Sequence, residues 1–137
     1  MKTKILILLI LFCSEMYSQN WQILPSITNS DGRYEDLWFI NIYTGWVVEN
    51  GGQKRIMKTT NGGDSFFEQY RLTAADSLSF GFRSVAFNNT QLGWAGSTSG
   101  LLVKTTNGGT NWYRVDTLIV PRPIGLCDMS VVGDSVF

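Results

Sequence analysis

Apolar positions after residue 18 fall in short runs of four to six residues, rich in β-branched and aromatic side chains and bounded by Gly, Asn or Asp. Runs of that length and composition predict strands rather than helices. No stretch of the same region keeps apolar residues at helical spacing; Thr73–Ser79, with Ala74 and Ala75, reads as a loop. The runs group into fours. In the first group the pattern predicts strands over Glu35–Ile40, Gly45–Val48, Arg55–Thr59 and Phe66–Tyr70. In the second it predicts Arg83–Phe87, Gly93–Gly96, Leu101–Thr105 and Trp112–Val115.

The two groups are copies of one template. Gly45-Trp46 returns as Gly93-Trp94 after 48 residues, and Lys58-Thr59-Thr60-Asn61-Gly62-Gly63 returns as Lys104-Thr105-Thr106-Asn107-Gly108-Gly109 after 46. The difference falls in the hairpin Asn50–Arg55, which is longer than Ser97–Gly100. Periods in the forties, built of short strands and glycine turns, predict blades of a β-propeller. The fold class is therefore all-β, with four-stranded antiparallel blades, about two of them complete. The blades span 34–70 and 82–117. Leu126–Val131 repeats Phe82–Phe87, so 126–137 begins a further blade, with its second strand at Ser135–Phe137. Asn20–Leu24 repeats Asn111–Val115, so 19–25 is expected to be the outer strand of the blade that closes the ring.

Closed propellers use roughly four to eight blades. Two blades with parts of two others are expected to leave apolar faces and strand edges unpaired. Either the chain is a piece of a longer protein, the expectation favoured by its end inside an apolar run at Val136-Phe137, or several copies complete one ring.

Ahead of the repeats, Lys2 and Lys4 precede the apolar run Ile5–Phe12, followed by small and polar residues to Ser18. That order predicts a signal peptide over 1–18 and export, with 19–137 as the mature chain. The run is too short to span a bilayer, which takes about 20 apolar residues, and the mature part has no other candidate. Phe12 before Cys13 argues against lipidation.

Composition narrows function by exclusion. The 137 residues carry 11 basic and 11 acidic side chains and no histidine. Without the leader there remain nine basic and ten acidic groups, which gives no electrostatic ground for a nucleic-acid partner. The lack of histidine excludes a Ser-His-Asp triad, a histidine metal centre and a histidine pH switch. No cofactor is implied. Cys127 becomes the single cysteine of the mature chain, so it has no internal disulfide partner; its apolar surroundings predict a buried position.

Between the third and fourth strands both units read Thr-x-Asn-x-Gly-x-Ser/Asn-Phe/Trp: Thr59, Asn61, Gly63, Ser65 and Phe66, then Thr105, Asn107, Gly109, Asn111 and Trp112. Asn side chains can accept from following backbone N–H groups as in Asx-turns, Gly tolerates positive φ, and the aromatic opens the next strand with a ring to bury. This segment resembles the Asp-box, or bacterial neuraminidase repeat. With the Gly-Trp and Lys-Thr-Thr flanks, the chain is most similar to the photosystem II stability and assembly factor family. The resemblance implies a propeller, turns that serve folding, and action by binding. Asn stands in both copies where the family carries Asp, which keeps the acceptor, loses the charge and implies no metal.

Two function classes follow. One is an exported, non-catalytic binding or assembly module whose protein or glycan partner the sequence does not name. The other is part of a glycoside hydrolase, since sialidases and some endoglucanases carry similar boxes. That chemistry usually needs two carboxyl groups flanking the bond. Asp36 and Asp128 match through the repeat, but Ser84 stands at the equivalent place between them. Arg122-Pro123-Ile124 is not the early Arg-Ile-Pro of sialidases. The first class is expected, with no catalytic, cofactor or metal residues. Asn88-Asn89-Thr90 fits an N-glycosylation acceptor, and Asp-Ser/Thr-aliphatic triplets begin at Asp76, Asp116 and Asp134; Asn at a turn and chance account for them. Trp38, Trp46 and Trp94 are expected to pack between sheets.

Overall fold

The structure, a computed structural model, describes residues 32–73, 81–118, 121, 124–133 and 135–136. The predicted leader, the strand expected at 19–25 and most of the loop 73–79 lie outside them. Among the described residues ten strands follow in order: β1 (Arg33–Phe39), β2 (Gly45–Asn50), β3 (Arg55–Thr59), β4 (Phe67–Arg71), β5 (Phe82–Phe87), β6 (Gly93–Ser97), β7 (Leu102–Thr105), β8 (Tyr113–Arg114), β9 (Val131–Val132) and β10 (Ser135–Val136). A 3-10 turn at Asp116–Leu118 follows β8. No α-helix occurs among the described residues, and none is long and apolar enough to cross a membrane.

Two four-stranded antiparallel meanders result, β1-β2-β3-β4 and β5-β6-β7-β8, as the repeat predicts. Their registers coincide: Trp38 pairs with Trp46 and Trp46 with Lys58, as Ala86 pairs with Trp94 and Trp94 with Lys104. Each first strand carries a bulge at the same place, between Tyr34 and Asp36 and between Phe82 and Ser84. Fourth strands begin one residue later than expected, at Phe67 and Tyr113. Phe66 and Trp112 close the preceding turn instead, Phe66 half-buried and Trp112 buried.

The core lies between the sheets. Trp46, Val48 and Ile56 from the first pack on Val85, Phe87, Ala95 and Val103 from the second, with Trp112 alongside. Trp46 stacks on Phe87 with ring centroids 3.5 Å apart and planes at 10°, while Phe87 meets Trp112 edge-on at 5.9 Å. The glycine before each tryptophan makes this layer possible. A Cβ on Gly45 would lie 2.7 Å from the ring of Phe39, and one on Gly93 would run into the ring of Phe87. On the far side of the second sheet, Ala86 and Trp94 bury Met129, with Val131 and Trp38 against them. Met129 thus occupies the place that Val85 takes on the first sheet.

The third unit departs from expectation. Its first strand is short, only Val131–Val132, turning at Gly133 into Ser135–Val136. The segment before it is tied to the second sheet through the Leu126 amide, which donates to the Ser97 carbonyl at 2.9 Å. Cys127 is exposed rather than buried. Leu126 is half-buried and Met129 buried, but the segment that carries them lies ahead of the strand and does not alternate, and the sulfur between them faces outward.

Candidate functional site

Eight of the ten turn residues, all but Phe66 and Trp112, come together as two copies of one hydrogen-bonded knot. Thr59 Oγ1 is buried where β3 ends and accepts from the amides of Asn61 at 3.3 Å and Gly63 at 2.9 Å. Its own proton goes to Asn61 Oδ1 at 2.9 Å, which also takes the Ser65 amide at 3.0 Å. In the second copy Thr105 accepts from Asn107 at 3.3 Å and Gly109 at 2.9 Å and donates to Asn107 Oδ1 at 3.1 Å. That oxygen takes the Asn111 amide at 2.9 Å. The knots differ at one bond: Asn61 Nδ2 donates to Ser65 Oγ at 2.9 Å, whereas Thr110 Oγ1 closes the second on the Asn107 carbonyl at 3.0 Å. Positive φ at Gly63 (101°) and Gly109 (90°) aims both amides at the threonine.

A second turn, which the sequence reading passed over, braces each knot. Asn41 Oδ1 accepts from Tyr43 and Thr44, and Asn89 Oδ1 accepts from Gln91 and Leu92, all at 2.8–2.9 Å. The Tyr43 carbonyl then takes the Gly62 amide and the Gln91 carbonyl takes Gly108, both at 2.8 Å. The signal was present: an asparagine stands four residues before each Gly-Trp.

The second knot docks on the first sheet. The Gly108 carbonyl accepts from Lys58 Nζ and from Gln69 Nε2, each at 3.0 Å. Gln69 Oε1 takes the Trp46 indole proton at 2.9 Å, and the Lys58 ammonium lies 4.9 Å from the Trp46 ring centroid. Burial pushes the Lys58 amine below its ordinary range.

At the opposite ends of the strands the sheets are joined by carboxylates. Glu35 receives Arg33 and Asn50 from its own sheet, and Arg83 of the next sheet at 2.7 Å. Burial raises its pKa, but the bonds from Arg33 and Asn50 and the charges of Arg33 and Arg83 outweigh that and hold it below the ordinary value. Asp36 spans two backbone amides, its own neighbour Leu37 at 2.8 Å and Val85 across the sheet gap at 2.9 Å. Asp128 caps Met129 in the same way at 2.9 Å. Glu49 is fully buried against Arg55 at 2.7 Å and the Gln53 amide at 3.0 Å. Asp116 is held by Arg114 through two bonds of 3.0–3.1 Å. Each buried carboxylate thus has a structural partner, and no cluster of three potential metal ligands occurs among the described residues.

The repeat is that of a known lineage. The family model described as photosynthesis system II assembly factor YCF48 matches residues 13–121. The chain belongs to this family. Among curated YCF48-family proteins, the photosystem II assembly lipoprotein Ycf48 of Synechococcus sp. (strain CC9902) is 31% identical over 90 residues, covering 64% of this chain and 26% of that protein. The chloroplastic photosystem II stability/assembly factor HCF136 of Arabidopsis thaliana is 30% identical over 69 residues, covering 50% and 16%. A solved structure described as YCF48 bound to D1 peptide superposes with a TM-score of 0.60 at 25% identity, over 81% of this chain and 34% of that one. The chain therefore spans about a third of that solved relative and 26% and 16% of these two curated ones. The all-β propeller expectation and the resemblance that accompanied it both hold.

Proposed function

We propose that this chain contributes consecutive blades to an exported, non-catalytic propeller that binds a segment of a protein partner during assembly. The observation that carries the reading is the likeness to a solved relative described as YCF48 bound to D1 peptide. The chemistry of the site agrees. Its turn oxygens are spent on hydrogen bonds within the turns, and Glu35, Asp36, Glu49 and Asp116 are each held by cations or amides, so none of these four stands free as general acid or nucleophile. The non-catalytic reading is thereby preferred to the glycoside-hydrolase one.

In this reading Thr59, Asn61, Gly63, Ser65 and Phe66, with Thr105, Asn107, Gly109, Asn111 and Trp112, are Asp-box turns that serve the fold. Blades span 34–70 and 82–117, a further blade starts at 126–137, and 19–25 supplies an outer strand to the blade that closes the ring. Residues 1–18 direct export and are removed. Additional blades, from further chain or from other copies, complete the ring.

Two measurements test this. Hydrogen exchange of the purified protein with extended peptides, the D1 peptide among them, is expected to show protection confined to one face; turnover of sialosides or β-glucans would instead establish an enzyme. Edman sequencing of the protein recovered from its own cells is expected to begin at Gln19, and an intact Met1 would remove the export claim.

A further inference from the structure

Lys58 and Lys104 are the same position of the repeat, each following a strand pair with a Gly-Trp and each set over that tryptophan, at 4.9 Å and 5.3 Å from the ring centroids. Their surroundings differ first in the acceptor. Lys58 Nζ donates to the Gly108 carbonyl of the following unit's turn, whereas Lys104 has no hydrogen-bond acceptor among the described residues. The carbonyl that Lys58 reaches is built for such an approach. It belongs to the first of two successive glycines with positive φ, 67° and 90°, and a Cβ on Gly109 would coincide with the Gln69 amide that supports it. A turn with two side chains there could not come so close.

The geometry points to a carbonyl-reading clamp: the tryptophan ring and lysine ammonium of one blade select the Asn-Gly-Gly turn of the next, and Trp94 with Lys104 is a clamp of this kind whose occupant is the Asn-Gly-Gly turn of a following repeat unit. The first clamp shows the occupant's chemistry directly, and the third unit already lies on the correct side of the second sheet, with Met129 and Val131 against Trp94. The two clamps are unequal. Gln69, two residues beyond the partner of Lys58, corresponds to Val115, so the second clamp holds its turn through the ammonium and ring alone. The ring also holds the lysine in place, since an ammonium over an indole face is attracted to it. This inference concerns how units select one another and stands apart from the identity of any protein partner.

Native-state acylation with an N-hydroxysuccinimide ester, read by mass spectrometry on the full chain, provides the test. Lys58 is expected to react about tenfold more slowly than Lys104, the ratio that one hydrogen bond from a charged donor corresponds to; equal rates would overturn the clamp. Burial alone could slow Lys58, so a second readout separates the two causes. Lys58→Met keeps an apolar stem on Trp46 and is expected to shift the Gly108 carbonyl carbon resonance, while Lys104→Met shifts no turn carbonyl. An unmoved Gly108 signal counts against the proposal. Finally, residues 95–117 repeated after Phe137, where Val136 takes the register place of Gly93, supply the third unit with the rest of its second strand, a hairpin, a turn and two strands. Once amide exchange shows that sheet formed, Lys104 is expected to slow toward the Lys58 rate, and a Lys104 that stays fast refutes the assignment.

Discussion

Thr59 and Thr105 hold their turns together with the asparagines that mark them in the sequence. Each hydroxyl accepts two amides and gives its proton to the asparagine, and Gly63 and Gly109 lie buried with their amides aimed at it. Thr59→Val keeps the volume and strands a buried N–H, so urea unfolding is expected to show a loss of about 1–3 kcal/mol. A change within error would mean that water replaces the hydroxyl. Gly109 makes a sharper case. Its φ of 90° is one that L-residues avoid, at a cost of about 1–2 kcal/mol. An added methyl also meets Gln69. Gly109→Ala should therefore lower the melting temperature more than Gly133→Ala, where a Cβ meets nothing within 4 Å. Adding Gln69→Ala is expected to recover only the steric part. Full recovery would show that the backbone angle carries no cost.

Among the elements, the first strands of the two sheets are tied at three points: Glu35 to Arg83, Asp36 to the Val85 amide, and Trp46 stacked on Phe87 from the adjoining strand. Glu35 makes this joint sensitive to acid. Its folded pKa lies below the ordinary 4.5, so its contribution is complete above that value and is lost as pH falls through the lower, folded value. Denaturant midpoints measured from neutrality down to about pH 3 should drop on the acid side, and Glu35→Gln should flatten that drop. An unchanged acid limb in the variant would assign the effect elsewhere. Much of this level was legible beforehand. Strand positions followed from runs such as Arg55–Thr59, and the matching of sheets from the spacing of Gly-Trp. What could not be read was which groups cross the gap. Asp36 and Asp128 looked alike as strand polar residues, yet Asp36 reaches Val85 while Asp128 caps its own neighbour. Cys127 misled because apolar neighbours predict burial only when the strand's alternation is known, and here the strand itself begins later.

At the scale of the molecule, the repeat lets one sheet serve as a control for the other. Val85 and Phe87 are 0% and 1% exposed because the first sheet covers them, while their equivalents Leu37 and Phe39 remain 62% and 40% exposed. Ile42 and Tyr43 continue that open strip at 77% and 61%. The same sequence logic that makes a dry interior on one side therefore leaves a wettable but unfavourable surface on the other. Purified alone, such a body should behave as a tile with one tacky side: it should be retained on phenyl resin, precipitate early as ammonium sulfate rises, and scatter more light as it is concentrated. Because the exposed side differs from the side it could meet on a neighbour, such contacts add tile to tile, and only a rotation that returns to its start would end the growth. A single charge at the centre of the strip, Leu37→Lys, is expected to abolish the concentration-dependent scattering without lowering the melting temperature.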